Sequence, residues 1–280
     1  MRVIVTGAAG FVGVHLVRRL EEQGASVTAV VGPGRGADGG LALDVRDVDA
    51  MRQAIELAEA DVVFHLAGTA TRAVAPGAGA FEVNREGTVA LLQAVDRSGV
   101  PARVVLASTD AITERPPADG YEQSKAAAEA AAECARGERG VDVVVARLTN
   151  VYGPGDRSWD RLVPAAASAA AAGADFEPAS PASALDLVHV EDVTAALVRL
   201  GQHAEGPVHR IASGERVSVG AVAAFVRAVA RREPRPVLDV SPYASPIPLV
   251  PGWEPEQALA PGLEATVNWY LERSPHQGAD

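Results

Sequence analysis

Five short, valine-rich runs constrain the fold of this chain more than any other feature of its sequence. They cover residues 2–6, 26–31, 61–66, 103–108 and 142–147, and each is almost continuously apolar. Continuous rather than alternating apolar character predicts strands that are covered on both faces. Segments with helical spacing separate the runs, at residues 13–23, 51–59, 81–98 and 122–136. This repetition of strand and helix predicts an α/β fold with a doubly wound parallel sheet.

A glycine-rich turn follows the first run directly and opens the first helical segment. Its pattern is GxxGxxG, from Gly7 to Gly13. Glycines permit a tight turn, let backbone amides approach a pyrophosphate and let the helix pack close to the strand. In this position the pattern predicts a dinucleotide-binding site that contains Gly7, Ala9, Gly10, Phe11, Val12 and Gly13.

The end of the second run bears on which dinucleotide is bound. An NAD site usually has a carboxylate there for the ribose 2′-hydroxyl, whereas this chain has Val31, Gly32 and Pro33. Arg35 follows, and it could bind a 2′-phosphate, which favours NADP(H) at a site for NAD(P). The alternative is that Arg35 is an ordinary loop residue. Asp44 is placed to accept from an adenine amino group, or else to cap the following helix.

Tyr121 and Lys125 are the strongest candidates for chemistry, because residues four apart share one face of a helix. Lys125 is the only lysine among the 25 basic residues. A phenol with a pKa of ~10 transfers protons near neutrality only if a neighbouring cation favours the phenolate. Ser108, Thr109 and Asp110 end the fourth run, where a hydroxyl can stabilise a substrate oxygen and a carboxylate can act as a second acid. The alternatives are a capping hydroxyl and a solvated loop carboxylate.

Further motifs follow one another along nearly the whole chain. They lie at residues 44–47 and 65–68, at Asn84 with Gly87 and Thr88, and at residues 147–154, 187–193, 252–255, 262 and 269–270. Together with the glycine turn and the Tyr–Lys pair, they resemble the extended short-chain dehydrogenase/reductase family, in its NAD-dependent epimerase/dehydratase branch. The resemblance implies a Rossmann-type sheet with a smaller C-terminal substrate-binding lobe.

The same resemblance implies roles for individual residues. Tyr121 would be the acid/base, Lys125 would hold the nicotinamide ribose and lower the pKa of Tyr121, and Thr109 would be the hydroxyl partner. Asn150 would face the substrate. Further residues would line the cofactor: Val45, Leu66, Ala67 and Gly68. The implied substrate is a nucleotide-linked sugar, and the helices over residues 81–98 and 122–136 could form a homodimer contact.

Three departures from the family pattern bear on the substrate. Leu185 stands where related enzymes have an arginine for the diphosphate, so another arginine would have to replace it: Arg210, Arg232 or Arg235. Ala111 stands where dehydratases have a glutamate, which argues against sugar 4,6-dehydration. The loop over residues 112–120 is shorter than usual, which predicts an open mouth or a small substrate.

The pattern of strands and helices loosens after Tyr152, where a Gly-Pro-Gly turn begins a region rich in alanine and proline. We therefore expect residues 1–155 to form the dinucleotide-binding domain, with later returns near residues 187–212. Residues 156–186 and 213–280 would then form the substrate-binding lobe.

Composition narrows the class of protein further. The 280 residues carry 25 Lys+Arg against 36 Asp+Glu, a net charge of −11, which argues against nucleic acid as a partner. The first residues lack a secretory-signal pattern, and no apolar stretch reaches the ~20 residues of a membrane span. The single cysteine, Cys134, excludes an internal disulfide and is expected to be buried. We expect a cytoplasmic protein without a membrane partner or a metal site.

Three hypotheses follow. The leading one is an NAD(P)-dependent oxidoreductase that reduces a keto group on a sugar nucleotide, with Tyr121 as proton donor. The second is an epimerase that retains its NAD and returns the hydride to the opposite face. The third is a dinucleotide-sensing protein without turnover, although a sensor needs no proton relay.

Overall fold

The computed structural model describes residues 1–34, 39–69, 81–113 and 115–273 of the chain. The chain divides into two compact units. The first unit contains Met1–Leu148, Thr194–Ile211 and Pro246–Trp253, and the second contains Thr149–Val193, Ala212–Ser245 and Glu254–Asp280.

The described residues form eleven strands and eight α-helices. The strands are β1 (Arg2–Thr6), β2 (Ser26–Val31), β3 (Leu41–Ala42), β4 (Val62–His65), β5 (Arg103–Thr109), β6 (Val143–Leu148), β7 (Asn150–Tyr152), β8 (Ala184–His189), β9 (Val208–Ile211), β10 (Glu215–Ser218) and β11 (Val240–Pro242). The α-helices are α1 (Phe11–Glu22), α2 (Val48–Ala58), α3 (Gly87–Ser98), α4 (Gly120–Arg139), α5 (Leu162–Ala171), α6 (Val190–Gln202), α7 (Val219–Ala230) and α8 (Leu259–Arg273). A π-helical turn, Glu82–Glu86, precedes α3, and a 3₁₀ turn, Asp110–Ile112, follows β5.

The first unit is built on a seven-stranded sheet in the order β3-β2-β1-β4-β5-β6-β9. Every pairing in this sheet is parallel. Helices α2, α3 and α4 cover one face, where a core forms around Ile4, Leu91 and Val104. On the other face, Gly201 of α6 packs against the Phe64 ring. The predicted doubly wound parallel sheet is confirmed, and its carboxyl edge gathers the residues that follow β1, β4 and β5.

The second unit has a four-stranded sheet in the order β11-β10-β8-β7. The pair β7–β8 is parallel and the other two pairs are antiparallel. Helices α5, α7 and α8 share a core around Val163, Phe225 and Leu263. Ser218 caps α7 through a hydrogen bond from the Ala221 amide, which explains why the helix begins there.

The unit boundaries differ from the domain boundaries expected from the sequence. Residues 150–152 form β7, which pairs with β8 rather than with the seven-stranded sheet, so the first segment of the first unit ends at Leu148. Residues 246–253 belong to the first unit, where the Pro248 carbonyl accepts from the Arg210 amide at 2.8 Å. Short pieces such as β3, β7 and β10 carry too few residues for an apolar pattern to reveal them.

The structure also bears on Cys134 and on membrane-spanning helices. Cys134 lies exposed on α4, so the expectation of a buried thiol is wrong. The buried face of α4 instead carries Ala128, Ala132 and Ala135. Within the described ranges, no helix is long and apolar enough to span a membrane.

Candidate active site

The glycine turn after β1 leaves no room for side chains. Gly7 has a φ of +71°, and a Cβ built on it would lie 2.7 Å from the Ala67 nitrogen. A Cβ on Gly13 would lie 2.2 Å from the Gly7 carbonyl oxygen. Helix α1 can therefore approach β1 only because these positions are glycine.

The N-terminus of α1 offers backbone donors to an anion. Gly10 is its N-cap and has no side chain to occupy them, and the first turn from Phe11 holds no acidic residue. Ala9 and Gly10 are exposed, and Phe11 and Val12 are half-buried. Free amides and the positive end of the helix dipole suit a pyrophosphate, so these residues fit the dinucleotide predicted from the sequence.

Asp44, which the sequence places either at the adenine or at the cap of α2, lies beside an arginine. The Arg46 guanidinium binds this carboxylate, with 2.6 Å between Arg46 Nη2 and Asp44 Oδ2, and these hydrogen bonds hold the Asp44 pKa below its usual value. The cap of α2 is Asp47, which accepts from the Ala50 amide at 3.0 Å, so Asp44 is not the cap. Val45 is buried in the core. Arg35 lies outside the described residues.

The carboxyl end of β4 meets the glycine turn through a buried hydrogen-bonded group. The Leu66 amide donates to the Thr6 carbonyl and the Ala67 amide to Thr6 Oγ1, both at 3.2 Å. Thr6 Oγ1 is also 2.8 Å from His65 Nδ1. Burial lowers the His65 pKa to about 3, and the Lys125 charge acts in the same direction. His65 is therefore a neutral packing residue.

Asn84 links the residues that follow β4 to helix α4. It is buried in the π-helical turn, and its Nδ2 donates to the Thr69 carbonyl at 3.1 Å and to Ser124 Oγ at 2.8 Å. Its Oδ1 accepts from the Thr69 amide, and a Cβ on Gly68 would lie only 2.6 Å from that oxygen. The sequence indicates that Asn84 belongs to a motif but predicts no role for it. A π-helical turn often marks such a site.

Lys125 is held at the carboxyl end of β5. Its Nζ donates to the Ala107 carbonyl at 2.9 Å, and it lies 3.4 Å from the position of a Cβ on Gly68. Burial lowers the Lys125 pKa to about 8, against an opposing effect of Glu129. Tyr121 lies one turn earlier on the same face of α4 and is half-buried. The ammonium is thus placed beside Gly68, which the sequence assigned to the cofactor.

The hydroxyl groups at the end of β5 have different surroundings. Ser108 is buried, and its Oγ has no hydrogen-bond partner among the described residues. Thr109 is also buried, and its Oγ1 accepts from the Ala111 amide at 3.3 Å. That bond leaves the Thr109 O–H proton available for donation to a substrate oxygen.

Asp110 and Arg210, both expected near the substrate, bind each other instead. Arg210 Nε donates to Asp110 Oδ2 at 2.9 Å, and only 2% of the Arg210 side chain is exposed. Asp110 Oδ1 accepts from Thr113 Oγ1 at 2.9 Å. A buried pair of this kind holds both charges within the first unit. The expectations of a second acid at Asp110 and a diphosphate contact at Arg210 are therefore not supported by this geometry.

The second unit contains the remaining substrate candidates. Asn150 is exposed, and its Nδ2 donates to the Asp186 carbonyl at 3.3 Å. Leu185, at the place of the family's arginine, packs against the apolar core. Arg235 pairs with Glu264, whereas Arg232 is exposed. Among the described residues, no group of three or more His, Cys, Asp and Glu could hold a metal ion.

Comparison with known proteins identifies the family. The model of the NAD dependent epimerase/dehydratase family matches residues 3–220. A dTDP-4-dehydro-6-deoxy-D-allose reductase from Streptomyces bikiniensis is 33% identical over 312 residues, covering 96% of this chain and 95% of that protein. The enzyme of the same name from a Streptomyces sp is 32% identical over the same shares.

The chain is also similar in fold to a solved structure. The UDP-glucose 4-epimerase of Thermus thermophilus, crystallised with NAD, superposes with a TM-score of 0.80 at 25% identity, covering 98% of this chain and 100% of that one. The family match and these relatives identify an enzyme of the NAD(P)-dependent oxidoreductase and epimerase class. This chain belongs to the NAD-dependent epimerase/dehydratase family.

Proposed function

We propose that this enzyme reduces the 4-keto group of a nucleotide-linked deoxysugar, with Tyr121 as the proton donor. The observation that carries the proposal is the 2.9 Å hydrogen bond from Lys125 Nζ to the Ala107 carbonyl. It holds the only lysine of the chain between Gly68 and the strand end that presents Thr109. The names of the Streptomyces relatives support a reductase and a dTDP-linked 4-keto sugar.

Each residue has a distinct part in the proposed reaction. When bound, the nicotinamide supplies the hydride that adds to the carbonyl carbon. Tyr121 donates its phenolic proton to the oxygen as negative charge develops there, and Thr109 donates a hydrogen bond to the same oxygen. With a pKa of about 8, Lys125 is mostly protonated near neutrality, and its charge lowers the cost of forming the Tyr121 phenolate.

We further propose that NADPH is the preferred reductant. Within the described residues, the carboxyl end of β2 and the residues after it, Val31, Gly32 and Pro33, offer no carboxylate for a ribose 2′-hydroxyl. The predicted partner of a 2′-phosphate is Arg35. Asn150 stays a predicted substrate contact. A cytoplasmic location and a homodimer also stay predictions, and the mass of the purified protein in solution tests the latter.

Turnover assays with each reduced cofactor test the proposal. The purified protein is mixed with NADPH or NADH and a panel of dTDP- and UDP-linked 4-keto sugars, and cofactor oxidation and sugar products are measured. We expect stoichiometric oxidation of the reductant. Conversion without net oxidation would instead identify an epimerase. Protection of the protein from heat by a cofactor, without any conversion, would identify a sensor.

Two phenol variants assign the proton donor. Tyr121→Phe should lower kcat about a thousandfold, because general acid catalysis contributes on the order of 10²–10⁴ in rate, while binding of the reduced cofactor is retained. Tyr243→Phe is the matched control, since it removes a phenol from the second unit. Equal activity of both variants would reject Tyr121 as the donor.

A further inference from the structure

The connector between β5 and α4, described at residues 110–113 and 115–119, joins the two ends of the proposed proton-transfer site. Thr109 precedes it, and Tyr121 follows it in the first turn of α4. Its β5 end is anchored by the pair Asp110–Arg210 and by Thr113 Oγ1, which accepts from Arg147 Nη1 at 3.2 Å. The position of Tyr121 depends on what holds the other end.

Glu122, directly after Tyr121, holds that end. Its side chain is completely buried. Glu122 Oε2 accepts from Arg115 Nη1 at 2.8 Å, and Oε1 accepts from Arg115 Nη2 at 2.7 Å. The Ala118 amide donates to Oε2 at 2.8 Å, while Asp119 Oδ1 accepts from the Glu122 amide at 2.8 Å. We call these four residues, Arg115, Ala118, Asp119 and Glu122, the Glu122 clamp.

The clamp exceeds what helix capping requires. A capping box needs only the exchange of hydrogen bonds between a cap side chain and a nearby amide, and an exposed glutamate can supply it. Here the Glu122 carboxylate is buried and accepts two hydrogen bonds from the guanidinium of Arg115, which lies outside the helix. Burying the Glu122 carboxylate is costly, and removal of the Arg115 guanidinium would leave that charge uncompensated.

The outer side of the connector offers little packing to replace the clamp. Residues of the connector form one wall of a pocket of about 660 Å³, and the other walls come from α4, β6 and β9. The connector residues in that wall are Ile112, Thr113, Arg115, Pro116 and Pro117. Arg115, Pro116 and Ala118 are exposed, so we infer that the polar contacts of Glu122 determine how the connector enters α4.

We propose that Arg115 and Glu122 are positioning residues that aim the Tyr121 phenol along the face of α4 that carries Lys125. The proposal rests on the proposed function of Tyr121 as proton donor. The Arg115 fork and the Ala118 amide fix Glu122 in place, and Tyr121 shares its helical turn. A displacement of about 1 Å in a reacting group can cost on the order of 10² in rate, so a loosened turn should be seen in kcat.

The test compares Glu122→Gln with Glu133→Gln, which makes the same chemical change at an exposed position of the same helix. Glu122→Gln should lower kcat about tenfold or more, leave the dissociation constant for NAD⁺ unchanged, and leave KM for the sugar nearly unchanged. Glu133→Gln should leave all three unchanged. Arg115→Lys keeps the charge but loses the fork, so its kcat should lie between those of wild type and Arg115→Ala.

A spectroscopic readout does not depend on turnover. The near-ultraviolet absorbance of phenolate is titrated in NAD⁺-loaded protein, and subtraction of the Tyr121→Phe titration isolates Tyr121. Because a nearby cation stabilises phenolate, Glu122→Gln should move the Tyr121 midpoint upward, toward ~10. Arg115→Ala combined with Glu122→Gln should be no worse than the worse single variant, since both break one clamp.

The outcomes separate the clamp from the proposed function. If wild type reduces a keto sugar and Glu122→Gln changes neither kcat nor the Tyr121 midpoint, the clamp is rejected and the function stands. If no keto sugar is reduced, the function is rejected and the midpoint alone decides the clamp. A loss of kcat that only follows a loss of thermal stability and of NAD⁺ binding would also reject the positioning role.

Discussion

Two regions at the carboxyl edge of the large sheet are built in opposite ways. The glycine turn from Gly7 to Gly13 works through missing side chains, because a Cβ at either end would collide with backbone. The connector from Asp110 to Asp119 works through charged side chains, with carboxylates bound by Arg210 and Arg115. The first region exposes backbone donors, whereas the second joins Thr109 to Tyr121, the two groups of the proposed proton-transfer site.

The difference reflects what each region must do. A pyrophosphate already carries charge, so its site needs close amides and a helix dipole, and a bulky side chain would only push it away. Proton transfer instead needs a fixed distance between Tyr121 and its partners, and long side chains on a loop need anchors for that. We therefore expect the turn to be sensitive to added volume and the connector to be sensitive to lost charge.

The largest effect is expected from Arg210→Met. It leaves the Asp110 carboxylate, 13% exposed, without its buried guanidinium. Removing one partner of a buried ion pair costs about 3–5 kcal/mol. Chemical denaturation should show that loss in the free energy of unfolding, and kcat should fall as well, because Asp110 follows Thr109 directly.

A double variant sharpens this prediction. Combining Arg210→Met with Asp110→Leu removes both charges, and the unfolding free energy should recover most of the loss, since apolar replacement of a buried pair is often close to neutral. A single Arg210→Met protein as stable as wild type would show that the β5 end of the connector does not depend on charge. The contrast between the two regions would then fail.

Gly13→Ala tests the glycine turn by adding one methyl group. Because the added Cβ would lie 2.2 Å from the Gly7 oxygen, α1 must move away from β1. Overpacking of this kind costs about 1–3 kcal/mol, and the same displacement should weaken cofactor binding roughly tenfold or more. Cofactor titration and thermal unfolding measure the two effects.

Gly137→Ala is the matched control for that substitution. Gly137 lies in α4, and no atom outside its chain neighbours and the adjoining helix backbone is within 4 Å of the position that its Cβ would take. Alanine is the better helix former by about 1 kcal/mol, so this variant should be slightly more stable and bind the cofactor as wild type does. If Gly13→Ala behaves in the same way, the turn tolerates volume and the proposed difference disappears.

The sequence predicts the turn much better than the connector. Gly7, Gly10 and Gly13 lie close together in the chain, and their spacing after a strand predicts a tight turn in which the helix backbone approaches the strand. Tyr121 and Lys125 are also local, since four residues make one helical turn. The order of the parallel sheet follows from the repeated strand and helix pattern in the same way.

The partners of the charged residues were not predictable from local patterns. Asp110 and Arg210 are 100 residues apart in the chain, and their pairing depends on β9 lying beside β6. The sequence therefore suggested a free acid and a free cation, whereas the folded chain joins them. Asn84 was found only as a motif, because its role depends on Thr69 and Ser124, which come from two other elements.

The smallest expected effect concerns His65, at the carboxyl end of β4. His65 is bonded to Thr6 below the glycine turn, while the charge of Lys125 helps to lower its pKa to about 3. The unfolded chain takes up a proton on this ring below its ordinary pKa of 6.5, but the folded protein does not until about 3. The folded state therefore loses stability as the pH falls through this window, by roughly 1 kcal/mol between about pH 6 and pH 5.

Two glutamine variants isolate that contribution. His65→Gln removes the titrating ring, so its unfolding free energy should fall less steeply with decreasing pH than that of wild type. His203→Gln makes the same change at an exposed position of the first unit and should keep the wild-type slope. Equal slopes for wild type and His65→Gln would mean that the ring can be charged in the folded protein. In that case burial at the carboxyl end of β4 would not keep His65 uncharged.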